Sequence, residues 1–186
     1  MRVRVQDNDA GKRVTATITN MIKMLNPNKD RPTVLLNIGS DRLTGDALGP
    51  LVGTRISEIS SLPVYGTLDE PVHAINLAEK IEEIKLKHSN PLIIAVDACL
   101  TDKAANVGTI SITKGSMSPG AGVNKDLPEV GEISIAGVVN VGGFLEFLTL
   151  QNTRLGVVMK LANCIAENLA AATREETELQ TSRCPS

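Results

Sequence analysis

Apolar and polar positions alternate along this chain in two periods, and the change from one to the other marks the elements. From about residue 10 to 25, Val14, Ile18, Met21, Ile22 and Leu25 recur at helical spacing, and Asn26-Pro27-Asn28 closes the run. A continuous apolar stretch at 33–38 follows Pro32 and predicts a buried strand. A helix over about 47–58 buries Leu48, Leu51, Val52 and Ile56. Pro63-Val64-Tyr65-Gly66-Thr67 reads as a short second strand. Pro71 is placed to start a helix running over about 73–87, with Ile75, Ala78 and Ile81 inward.

The segment 92–96 is a third buried strand, ending at Asp97. Residues 107–113 and 131–139 alternate with period two and predict two more strands. Between them, 114–129 is rich in Gly, Ser, Pro and Asn and predicts a long loop, a kind of segment that often carries function. Helices over about 143–149 and 153–178 close the chain. The tails at about 1–9 and 180–186 are expected to fray. This order predicts one α/β domain over 1–186, a three-layer α/β/α sandwich with a mostly parallel central sheet and right-handed crossovers.

Composition narrows the function classes. The chain has 186 residues, 42% of them hydrophobic, but only one Tyr, two Phe and no Trp. Its core is therefore aliphatic, which suits a buried parallel sheet, and it lacks the aromatic platforms used to bind single-stranded nucleic acid. A net charge of −2 with mixed signs gives no footprint for nucleic acid or anionic lipid. Cys99, Cys164 and Cys184 show neither metal spacing nor CxxC, which reads as reduced thiols. No apolar signal region opens the chain and no apolar run approaches a membrane span. A cytoplasmic protein with no membrane partner is expected.

The candidate chemistry rests on two aspartates. Asp46 lies in the loop Gly39-Ser40-Asp41-Arg42-Leu43-Thr44-Gly45-Asp46-Ala47-Leu48-Gly49-Pro50 after the first strand; Asp97 follows the third. In an open parallel sheet the carboxyl ends of the strands share one edge, and ligands bind there. Two carboxylates in one cleft share a proton, activate a water or hold a metal. Each aspartate also has a plainer reading, as a helix N-cap for Asp46 and a turn cap for Asp97.

The loop Gly115-Ser116-Met117-Ser118-Pro119-Gly120-Ala121-Gly122-Val123-Asn124-Lys125 offers donors to an oxyanion, or is simply a surface loop. It lacks GxxxxGK[ST], and 39–49 lacks GxGxxG, so ordinary phosphate and dinucleotide loops are rejected. For His73 a local hydrogen-bonding role is favoured over metal ligation. Cys99 has no neighbouring base in sequence and reads as a small core residue.

These motifs together resemble the hydrogenase-maturation endopeptidases and the bacterial spore germination protease. The resemblance rests on Ile38-Gly39-Ser40, on Asp46-Ala47-Leu48-Gly49-Pro50 and on Val96-Asp97-Ala98. The loop Ser118-Pro119-Gly120-Ala121-Gly122-Val123-Asn124-Lys125 favours the germination-protease branch. Within it, Gly66-Thr67-Leu68-Asp69-Glu70-Pro71-Val72-His73-Ala74, with Leu77, is similar to the YyaC-type sporulation family, short relatives of unknown function. The likeness covers about residues 33–147.

The resemblance implies a phosphorylase/hydrolase-like fold, with Asp46 and Asp97 on the two acidic positions. In the maturation endopeptidases these acids and a downstream His hold nickel or a stand-in metal. Here no His follows His88, so that third ligand is absent and no cofactor is expected, a divalent metal at Asp46 and Asp97 being disfavoured. The germination protease acts on small acid-soluble spore proteins.

The expectation is a sporulation-associated endopeptidase in the forespore or mother cell, homo-oligomeric; a regulatory or structural oligomer built through the apolar terminal helices is a further reading. Asp46 and Asp97 would be catalytic. Gly39, Ser40, Gly45, His73, Ser118, Gly120, Gly122 and Asn124 would bind substrate. The alternative is a catalytically inactive sporulation protein that binds a partner peptide.

Overall fold

A computed structural model describes residues 1–119, 127–143 and 145–183, with side chains described as far as Arg174. The central sheet has six strands: β1 (Arg2–Arg4), β2 (Thr33–Asn37), β3 (Val64–Tyr65), β4 (Leu92–Thr101), β5 (Thr109–Lys114) and β6 (Ile133–Val141). Their spatial order is β1-β5-β6-β4-β2-β3. The four strands β3, β2, β4 and β6 run parallel, whereas β5 and β1 add on antiparallel. Five α-helices cover the sheet: α1 (Ala10–Leu25), α2 (Leu48–Ile59), α3 (Leu77–Lys87), α4 (Glu146–Gln151) and α5 (Leu155–Arg183).

Side-chain alternation along the strands splits the core into two layers. On one face Leu35, Ile94, Val96, Ile112 and Ile135 pack against Val14 and Ile18 of α1, Val52 and Ile56 of α2, and Leu161 and Ile165 of α5. On the other, Val34, Leu36 and Ala95 pack against Leu77, Ile81 and Ile84 of α3. The architecture is therefore α/β/α, as the sequence pattern predicts. In α1 the buried residues Ala10, Val14, Ile18 and Ile22 stand four apart, one above another on a single stripe. Each of the larger ones contributes about 1.5–3 kcal/mol by burial.

By length and composition alone, Leu155–Arg174 of α5 would pass as a membrane span. Val158, Leu161, Ile165 and Leu169 of that stretch are instead fully buried in this core.

Several elements depart from the sequence reading, among them α5, which runs to Arg183 into the stretch expected to fray. The strand β1 was not expected; only Val3 of its three residues faces inward, too few for a period to show. The helix α3 begins at Leu77 and not at residue 73, and Ile75 and Ala78, expected to face inward, are exposed. The segment before it is a turn in which the His73 carbonyl accepts N–H groups from both Asn76 (3.1 Å) and Leu77 (2.9 Å). The strand β4 does not end at Asp97 but runs on to Thr101, because β6 continues to pair with it as far as Val141.

The connectivity creates the crevice. From β2 the chain crosses through α2 to β3 on one side, then returns through α3 to β4 on the other. The helices α2 and α3 lie on opposite faces. The carboxyl ends of β2 and β4 therefore form a topological switch point, where open α/β sheets bind ligands.

Candidate functional site: a two-aspartate cavity at the sheet switch point

The pairing of β2 with β4 stops at Asn37 opposite Val96. Asp97 is the next residue of β4, paired only with Ala136 of β6. Its carboxyl group stands at the lip left where β2 turns away. It is 8% exposed, and its Oδ1 accepts the Ala98 N–H at 2.8 Å.

Asp46 arrives from the β2–α2 loop. Gly39 makes that loop possible: its φ of 140° lies where only glycine is comfortable, and a Cβ there would sit 2.0 Å from the Asp46 carbonyl oxygen. The Ser40 N–H donates to that same carbonyl at 3.2 Å. Asp46 does not cap α2; the N-cap is Ala47, with no side-chain cap bond. Its carboxyl turns to the cavity, where burial pushes it above the usual carboxylate range. The Ser40 N–H and the nearby His73 pull it back in part.

The cavity occupies about 240 Å³. Asp46, Asp97, Gly39, His73 and Cys99 all line it, among walls that include Leu43, Leu100, Leu127, Phe147 and Leu150.

His73 is delivered by the far neighbour of β2. Val72 forms a parallel bridge to Ile38, and the Gly39 N–H donates to the Val72 carbonyl at 2.8 Å. The turn is locked by Asn76, whose Oδ1 accepts the His73 N–H at 2.8 Å and whose Nδ2 donates to Pro71 O at 3.0 Å.

Cys99 stands two residues beyond Asp97 on the same face of β4. Burial, and then the adjacent Asp97 charge, push its thiol up to about 11, with Arg2 pulling weakly the other way. A thiol so shifted carries little thiolate at neutral pH, the form a nucleophile needs.

The remaining sequence-derived residues fall elsewhere. The Gly45 N–H donates to Leu150 O at 2.8 Å, which ties the Asp46 loop to α4 and leaves Gly45 off the cavity wall. Ser40 is also off the wall; its Oγ accepts the Arg42 N–H at 3.2 Å. Ser118 is exposed, with its Oγ 3.5 Å from Glu129 Oε1. Gly120, Gly122 and Asn124 lie outside the described residues. In the described part of their loop, the Gly115 and Met117 N–H groups donate to Glu132 O and Val130 O, so both are committed to hairpin pairing.

Sequence reasoning missed the wall supplied by α4. This six-residue helix buries none of its own side chains, yet Glu146, Phe147 and Leu150 line the cavity. Asn140 at the end of β6 holds it, with Nδ2 donating to Thr149 O (3.3 Å) and Thr153 Oγ1 (3.2 Å). No local pattern announces this placement; a short apolar helix after the last strand was the only signal.

The metal question can be put to this donor set. Asp46, Asp97, His73, Cys99 and Glu146 share the cavity, but among the described residues no three His, Cys, Asp or Glu side chains gather closely enough to hold a metal ion. The arrangement does not fit a closed metal centre.

A solved structure shares the fold. The crystal structure of the NiFe hydrogenase maturation protease HycI from Thermococcus kodakarensis KOD1 superposes with a TM-score of 0.56 over 85% of this chain and 99% of that one, at 18% identity. The likeness establishes a phosphorylase/hydrolase-like α/β fold. The uncharacterized protein YyaC of Bacillus subtilis (strain 168) is 52% identical over 148 residues, 78% of this chain and 72% of that protein. Residues 2–168 match the model of a family described as proteins of unknown function, DUF1256. The chain belongs to that DUF1256 family.

Proposed function

We propose that this protein is an endopeptidase that hydrolyses peptide bonds with Asp46 and Asp97, in the manner of the spore germination protease. One observation carries the reading: the two carboxyl groups, 51 residues apart in sequence, line one cavity at the switch point of a fold shared with a hydrogenase maturation protease. The pair shares one proton. One carboxyl keeps it, and the ionised partner takes a proton from the attacking water. Small acid-soluble spore proteins are the proposed substrates, following the motif resemblance.

The test is incubation of the purified protein with a mixture of these spore proteins and mass spectrometry of the products. Discrete cuts support the reading. No cuts, in a folded sample, count against it.

A second reading has its own support. The cavity wall is mostly apolar, and its rim carries Phe147 at 61% exposure. A fold kept only to bind an apolar partner peptide would present such a rim. On that reading, binding survives Asp97→Asn; on the first, that variant loses cleavage.

A further inference from the structure

An acid pair that drives water onto a peptide carbonyl leaves a negative charge on the carbonyl oxygen, and a donor must meet it. Of the described N–H groups of the loop 115–125, those of Gly115 and Met117 are spent on hairpin pairing. The cavity wall holds no Lys, Arg, Asn, Gln, Ser, Thr or Tyr among the described residues. Among the described residues of the wall, His73 is the one side chain with a nitrogen donor.

Its ring is also oriented. The Ile75 N–H donates to Nδ1 at 3.3 Å, so in the neutral ring the proton sits on Nε2. Nε2 has no hydrogen-bond partner among the described residues, whereas Nδ1 and the backbone N–H and C=O of His73 are all engaged. The ring lines the same cavity as Asp46 and Asp97. It is thus a preset, uncommitted donor in the cavity of the two acids.

We propose that His73, through Nε2–H, donates the hydrogen bond that stabilises the oxyanion formed when water adds to the scissile carbonyl. This rests on the peptidase reading above and assigns a part of its machinery. In the first step a water oxygen bonds to the carbonyl carbon, its proton passes to the ionised carboxylate of the pair, and the carbonyl π electrons move onto oxygen. In the second, that electron pair re-forms the C=O bond, the C–N bond breaks, and the leaving nitrogen takes a proton from the pair. His73 gives and takes no proton in either step. The Ile75 bond to Nδ1 is kept throughout.

The experiment compares the parent with His73→Ala and His73→Gln, beside Asp46→Asn and Asp97→Asn. Each is assayed on the spore-protein mixture and then on a peptide spanning the parent's preferred cut. Circular dichroism and melting curves confirm folding. The expected result is a fall in kcat of about 10²–10³-fold for His73→Ala, with KM changed by no more than about threefold. His73→Gln, which still presents an N–H donor, recovers at least about a tenth of the parental kcat and keeps both limbs of the parental pH profile.

A His73→Ala enzyme with full kcat overturns the inference while the acid-pair reading stands. So does a His73→Gln enzyme as inactive as His73→Ala, which would mark a proton-transfer or structural role. Should His73→Ala fail to fold, His73→Gln alone decides. A folded parent that cuts nothing overturns both the inference and the peptidase reading.

Discussion

Asp97 is the first residue of β4 beyond Val96, whose partner Asn37 is the last of β2, so Asp97 looks out over the point where the neighbouring strand ends. That single step of register places a carboxylate at the lip of the crevice and not inside the sheet. It also explains how a residue in the middle of a ten-residue strand belongs to a cavity.

The buried Asp46 carboxyl is costly when ionised, and this fixes the sign of a pH effect. Its folded-state pKa lies above the unfolded one. Its contribution to stability is present in full below the unfolded pKa and is lost as pH rises through the folded one. Asp46→Asn is therefore expected to melt higher than the parent at neutral pH. The gain should shrink as the pH is lowered into the carboxylate range. Melting curves of both proteins between pH 4 and pH 8, on the order of the carboxyl titration range, check this. A parent that outlasts the variant at neutral pH contradicts it.

Gly39→Ala tests the loop. The new Cβ would meet the Asp46 carbonyl at 2.0 Å, and the backbone would stay at a φ of 140°. A cost of about 2 kcal/mol or more is expected in urea unfolding, together with loss of activity because Asp46 must move. Gly115→Ala is a fair comparison. It too has positive φ, but no atom lies within 4 Å of the built Cβ, so its cost should be the smaller.

At the opposite end of the sheet Arg31 makes a bidentate pair with Glu132, and its guanidinium also donates to Asn90 O (3.1 Å) and Pro91 O (2.9 Å). It clamps the entry to β2, β4 and β6. Arg31→Ala is expected to cost about 2–3 kcal/mol. Arg31→Lys should recover little of it, since an ammonium cannot reproduce the planar fork. Chemical denaturation of the two variants measures both.

With its thiol pushed up to about 11, Cys99 holds roughly 100-fold less thiolate near neutral pH than at the ordinary value of 9.0. Alkylation by iodoacetamide at pH about 8, followed by peptide mass spectrometry, should label Cys99 slowly in the native protein and rapidly after denaturation. Fast labelling of the native protein would reopen the case for a cysteine nucleophile.

Much of the fold was legible because its signals are local. The stripe Val14, Ile18 and Ile22 and the continuous run of Leu92 to Val96 each declare their partners by period. The two acids were found by a rule of position, since residues at the carboxyl edge of parallel strands face the crevice. What stayed hidden depends on contacts distant in sequence. The strand β1 exists because Met1 to Arg4 pair with the far side of β5, and three residues carry no period. The length of β4 is set by β6, not by its own composition. Glu146, Phe147 and Leu150 reach the cavity because Gly45 and Asn140 tether their short helix, bonds that no spacing in the chain foretells. For His73 the sequence suggested local hydrogen bonding; its place beside Asp46 needed the Val72–Ile38 bridge.

The central claim is that Asp46 and Asp97 act as one unit. The most direct measurement is a cycle of four proteins: the parent, Asp46→Asn, Asp97→Asn and the double variant, each assayed for cleavage of small acid-soluble spore proteins under identical conditions. Groups that share one proton and one water fail together. The account predicts that each single variant loses at least about 10³-fold in kcat and that the double variant is no worse than either. Losses that multiply in the double variant, or a single variant that still cuts at the parental rate, would contradict it.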